Sequence, residues 1–90
     1  MSDRVTNEAL RQQLLDDLVA TLYCDPAEVE DDITFHDLGL DSILGLEFLV
    51  LVNGRYQLSE EIDTLHEHPT LAQLVQYLSG RLERLQAEHA

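Results

Sequence analysis

Ninety residues, 44% of them hydrophobic, suit one small folded domain rather than a disordered chain. Eighteen acidic residues stand against five basic ones, all arginine, for a net charge of −13, a balance that repels phosphate backbones and anionic lipid, so neither nucleic acid nor a membrane is an expected partner. The longest unbroken apolar run, Phe48–Val52, is five residues, far short of a membrane span, and Met1–Val5 lacks the charged-then-apolar pattern of a secretory signal, so a cytoplasmic location is expected.

The first periodic segment predicts a helix from about Asn7 to Leu22. Leu10, Leu14, Leu15, Leu18, Val19 and Leu22 recur at helical spacing, while Arg11, Gln12, Gln13, Asp16 and Asp17 fill the opposite face. Thr6 or Asn7 can cap it, and Glu8 suits the positive end of its dipole. Cys24 follows as the only cysteine, which rules out an intrachain disulfide and reads as a partly buried structural thiol.

Tyr23 to Asp41 is a long acidic connection, carrying Asp25, Glu28, Glu30, Asp31 and Asp32. A structureless stretch of this length needs anchoring in a small domain, and Val29, Ile33, Phe35 and Leu38 are the candidate anchors, with a brief helical turn expected at Phe35–Asp37. The acidic stretch lacks the glycine and the ordered ligand alternation of a calcium loop.

Ser42 stands where this connection becomes the second predicted helix, which runs to about Arg55. At a helix start its hydroxyl is expected to be accessible. The residues alone leave two readings open, a plain N-cap serine or the attachment point of a phosphate ester. The ten residues Ile43–Val52 include eight apolar ones, interrupted only by Gly45 and Glu47. Neighbours in a bundle of this size cannot enclose such a helix on all sides, so part of its apolar surface is expected to face outward, with Val50 and Leu44 more exposed than their apolarity suggests.

Gln57–Pro69 holds a short element near Glu61–Leu65. The last helix then opens on Thr70-Leu71-Ala72-Gln73, a capping box, behind Pro69, and carries a stripe of Leu71, Leu74, Val75, Leu78, Leu82 and Leu85. Gly80 is the expected end of its packed part, with a core of about residues 7–79 in a single domain spanning 1–90 and residues 81–90 as a tail. Four histidines, at 36, 66, 68 and 89, lack the ligand spacing of a zinc site, and no metal is expected.

Gly39-Leu40-Asp41-Ser42-Ile43, continued by Gly45-Leu46-Glu47-Phe48-Leu49, resembles the attachment motif of acyl carrier proteins and carrier domains. His66-Glu67-His68-Pro69-Thr70-Leu71, with Leu74 and Leu78, is similar to the entry into the last helix of polyketide-type carriers. Asp32-Ile33-Thr34-Phe35-His36-Asp37-Leu38-Gly39 is similar to the segment leading those carriers into their serine, and the three matches together span about residues 8 to 80. The resemblance implies an all-α four-helix bundle with three long helices and one short. It implies 4′-phosphopantetheine, taken from coenzyme A, on Ser42 and a non-catalytic carrier that holds acyl groups as thioesters for polyketide or related fatty-acid-like biosynthesis.

The same resemblance implies a monomer whose partners are a phosphopantetheinyl transferase, a ketosynthase, an acyltransferase or other synthase enzymes. Asp41, Ile43, Leu44, Leu46, Glu47 and Val50 are the expected partner-contact residues, Asp41 with a capping role as well. Gly39-Leu40 departs from the Gly-Gly pair of peptidyl carriers, which favours an acyl cargo over an aminoacyl one. Ile43 is similar to the residue found in carriers of assembly lines with separately encoded acyltransferases. Phe48–Val52 is more apolar than the charged second half of many carrier helices, which points to a larger apolar share in the partner interface. The competing reading is a small acidic helical adaptor that binds a partner through the same apolar helix.

Overall fold

The computed structural model describes residues 7–89, with side chains as far as Leu85. Thr6, one of the two candidate caps of the first helix, and Ala90 at the end of the tail lie outside the described residues. Four α-helices follow in chain order: α1 Asn7–Leu22, α2 Ser42–Tyr56, α3 Ile62–Glu67 and α4 Leu71–His89, three long and one short. Among the described residues there is no named strand, only an isolated antiparallel bridge between Thr34 and Thr70. This is the expected all-α bundle.

The core forms where the three apolar stripes meet. Leu10, Leu14 and Leu18 of α1, Phe48 and Val52 of α2, and Leu71, Leu74 and Leu78 of α4 are its most completely buried side chains. Their i, i+4 and i, i+3 spacings put each set on one side of its helix, so α1 packs against both α2 and α4. Leaving water is the main term that holds them, about 1.5–3 kcal/mol for each fully buried Leu, Val or Phe.

Asp17 corrects the reading of α1 as having a uniformly solvated polar face. It is buried and receives Arg55 Nη2 at 3.0 Å, a charge pair that ties α1 to the end of α2. A carboxylate can be enclosed there because a guanidinium from the neighbouring helix, itself partly exposed, reaches over it.

Both long helices before the short one end on a residue in the left-handed region, Tyr23 and Gln57, each at φ 55°. The Tyr23 and Gln57 amides return to the carbonyls of Val19 and Asn53, closing the last turns without the glycine that usually does this.

The acidic connection is anchored more thoroughly than its hydrophobic residues alone foretell. Val29 and Phe35 are buried as expected and Leu38 packs against the core from a half-buried position, whereas Ile33 is only half-buried and Leu40 is an additional buried anchor. Pro26–Glu28 forms an unforeseen 3₁₀ turn, with Asp25 and Glu28 making a reciprocal capping box. Main-chain bonds complete the attachment: the Phe35 amide donates to Pro69 O at 2.7 Å and the Ala72 amide to Asp31 O at 3.2 Å, while Arg11 pairs with Asp31 at 2.7 Å. Cys24 is half-buried beside this segment, and burial, then the nearby Glu28 and Asp25, push its thiol pKa up, away from the reactive thiolate.

At α4, Thr70 Oγ1 accepts from the Gln73 amide at 3.2 Å, one half of the expected capping box. Gly80 does not end the packed part. The helix runs through it to His89, and Leu82 and Leu85 still pack against the core. One glycine costs a helix only about 1 kcal/mol relative to alanine, which two further apolar contacts offset.

Candidate functional site

Residues 34–41 fold into a turn that aims the start of α2. The Leu38 amide donates to Thr34 O at 3.1 Å, Gly39 to His36 O at 3.0 Å and Leu40 to Phe35 O at 2.9 Å. Gly39 takes φ 95°, a conformation that a side chain resists, and this reverses the chain so that Leu40 dips into the core. Asp41 then caps α2: its carboxylate accepts from the Leu44 amide at 2.8 Å and its carbonyl from Gly45 at 2.7 Å. Asp41, not Ser42, is therefore the N-cap, and Ser42 is the first helical residue.

This removes the plain capping explanation of Ser42. Its side chain is exposed and makes no hydrogen bond among the described residues. A hydroxyl held on a rigid helix start, with no internal partner, is free to act as a nucleophile toward a group brought from outside.

A cavity of about 400 Å³ opens beside it, lined by Phe35, His36, Leu40, Asp41, Ser42, Ile62, Leu65, His66 and Pro69. Its far wall is α3, and α3 sits close to α2 because Gly45 has no side chain: a Cβ there would come within 2.8 Å of Ile62 Cδ1 and 3.2 Å of Leu65 Cδ1. A buried polar knot holds α3 from behind. Glu60 accepts from Thr64 Oγ1 and from the Tyr77 hydroxyl, both at 2.8 Å, and from Arg81 Nε at 3.1 Å. Asn53 of α2 clasps the Glu60 backbone on both sides, at 3.0 Å each. Burial alone would raise the Glu60 pKa, but the hydrogen bonds from Thr64, Tyr77 and Arg81, with the arginine's charge, outweigh it and hold the group below the ordinary glutamate range. Nothing in the spacing of Glu60, Thr64, Tyr77 and Arg81 announces this knot, because its members come from three separate segments.

The expected partner-contact residues divide. Ile43, Leu46 and Val50 form an outward stripe, 72%, 53% and 69% exposed, with Glu47 exposed alongside. Asp41 is exposed at the helix mouth. Leu44 departs from expectation: it is half-buried and packs against the core, because it lies one position round the helix from the outward stripe. Two further side chains extend the outer surface, Leu51 at 40% exposed and Tyr23 at 93%, and with Ala20, Thr21, Glu47 and Val50 they line a groove of about 290 Å³ between the end of α1 and α2. Tyr23 carried no sequence signal for this, since its placement depends on the left-handed turn at the end of α1.

His68 stacks on Tyr77 at 4.4 Å between ring centroids, while His66 is exposed in the cavity wall; the His89 side chain lies outside the described residues. Among the described residues no three His, Cys, Asp or Glu side chains gather as a metal site, and no helix is long and apolar enough to cross a membrane.

Residues 12–78, most of the chain, match the family described as the phosphopantetheine attachment site. The chain belongs to that family. Its members attach 4′-phosphopantetheine, and the free Ser42 hydroxyl beside an open cavity fits such an arm. The structure is similar to the solved HMG-ACPI domain from the CurA module of Lyngbya majuscula, with a TM-score of 0.85 and 32% identity over 96% of this chain and 87% of that one. In sequence it is 35% identical over 81 residues to polyketide synthase PksL of Bacillus subtilis, covering 90% of this chain and 2% of that protein. It is 34% identical over 68 residues to the non-reducing polyketide synthase curS2 of Aspergillus terreus, covering 76% of this chain and 3% of that protein. The chain thus spans a small fraction of the curated relatives it matches, a carrier-sized segment of each.

Proposed function

We propose that this carrier domain serves polyketide assembly, with Ser42 as the attachment residue. The observation that carries the reading is the Ser42 hydroxyl, exposed and unpartnered at the first position of α2 while Asp41 does the capping. Ser42 Oγ attacks the phosphate of coenzyme A nearest pantetheine; a new P–O bond forms, the pyrophosphate bond breaks, adenosine 3′,5′-bisphosphate leaves and the serine proton passes to a base on the transferase. When bound, the arm supplies a thiol that holds acyl groups as thioesters. The chain's own residues do no bond chemistry afterwards: the capped start of α2 presents the attachment point, and the bundle behind it keeps that point rigid.

The partners are a phosphopantetheinyl transferase and then a ketosynthase, an acyltransferase or other synthase enzymes, met by a monomer in the cytoplasm. The outward surface of Asp41, Ile43, Leu46, Glu47 and Val50 supports docking through mixed contacts, apolar from the stripe and anionic from its two acids. Half-buried Leu44 supports that surface from beneath. The net charge of −13 steers the domain toward basic patches on those enzymes.

Incubation with coenzyme A and a broad-specificity phosphopantetheinyl transferase, followed by intact-mass measurement, tests the reading. Wild type is expected to gain one arm. Ser42→Ala is expected to gain none and to unfold within about 0.5 kcal/mol of wild type, since the replaced hydroxyl caps nothing. Modification of Ser42→Ala overturns the site, and an unmodified wild type returns the domain to the adaptor reading.

A further inference from the structure

The arm that joins Ser42 carries a phosphodiester anion, and it arrives in unfavourable surroundings. Asp41 is the adjacent residue and lines the same cavity, on a chain whose net charge is already −13. Among the described residues the arginines offer little help there: Arg11, Arg55 and Arg81 are paired with Asp31, Asp17 and Glu60, and Arg84 lies towards the far end of α4. The cavity lining nevertheless contains two imidazole side chains able to donate to an anion, His36 from the turn before α2 and His66 from α3. Both are exposed, and neither imidazole makes a hydrogen bond or ion pair among the described residues. His68, two residues further on, is instead engaged with Tyr77.

We propose that His36 and His66 together clamp the phosphate of the arm at the cavity whose wall they share with Ser42. The proposal rests on the attachment reading above. Each ring carries an N–H able to donate to a phosphate oxygen, and both open onto the cavity that Asp41 and Ser42 also line. The cavity, about 400 Å³, lies within the ~300–1,000 Å³ range of small-molecule clefts, and its apolar walls, Phe35, Leu40, Ile62 and Leu65, suit the methyl and methylene groups that follow the phosphate.

The test is NMR on the apo and arm-loaded forms of the whole chain. On loading, the imidazole ring signals of His36 and His66 are expected to shift while those of His68 stay in place. The ³¹P signal of the arm is expected to differ between wild type and His36→Ala/His66→Ala, which removes both donors. An arm-loaded protein in which either ring signal is unmoved, or a ³¹P signal identical in wild type and variant, overturns the clamp and leaves attachment intact. A wild-type chain that gains no arm overturns the attachment reading, and the clamp with it.

Discussion

The two faces of α2 are made of the same kinds of residue and meet opposite fates. Phe48, Leu49 and Val52 are buried, Phe48 completely, with its ring 6.2 Å from that of Phe35. Ile43, Leu46 and Val50, no less apolar, stand more than half exposed on the other side. The inward face is where the helix is held; the outward face is left over, because α1 and α3 cover only part of the circumference. Apolar character therefore marks two different jobs on one helix, and only the position of the neighbours separates them.

Breaking the inward face should have the largest effect. Phe48→Ala removes a fully buried ring that supports both the bundle and Phe35 at the cavity wall, and is expected to cost about 3–5 kcal/mol of unfolding free energy, measured by denaturant titration. For a domain of this size much of the total stability would go. A loss below about 1 kcal/mol would show that the core closes around the gap, and the inward face would no longer be distinct.

The knot behind α3 comes next. Glu60→Gln keeps the shape but gives up the charge-assisted bonds, at an expected cost of about 1.5–3 kcal/mol near pH 7. Because the folded state holds the Glu60 pKa below its unfolded value, the stabilisation is present above the unfolded pKa and is lost as pH falls through the folded one. The gap between wild type and Glu60→Gln in thermal midpoint is therefore expected to narrow as pH drops from 6 toward 3. A gap that widens would mean that burial dominates this group.

The outward face should be the least sensitive. Val50→Asp is expected to change stability by no more than about 0.5 kcal/mol while slowing modification or transfer by a partner about tenfold, equivalent to ~1.4 kcal/mol of lost contact. Collapse of its thermal transition would place Val50 in the core and dissolve the comparison.

Much of this was legible from residue patterns. The bounds of α1, the start of α2 at Ser42 and the opening of α4 at Thr70 follow from local signals, periodic leucines, a turn glycine and a capping threonine. What was not legible depends on groups distant in the chain. Asp17 reads as solvated until Arg55, 38 residues later, is found against it. Glu60 reads as one of many surface acids until Thr64, Tyr77 and Arg81 converge on it. Leu44 and Leu46 are indistinguishable as leucines two positions apart, and helix rotation sends one inward and the other out.

By itself, the sequence determined the helical architecture, the family and the residue at the mouth of α2, because periodicity, caps and short motifs are written within a few turns of chain. Only the tertiary structure decided that His36 and His66 share one cavity with Ser42. It also decided which acids among the described residues are buried. Those outcomes turn on which surfaces the packed helices leave uncovered. Burial and pairing are properties of elements brought together, and a single segment does not carry them.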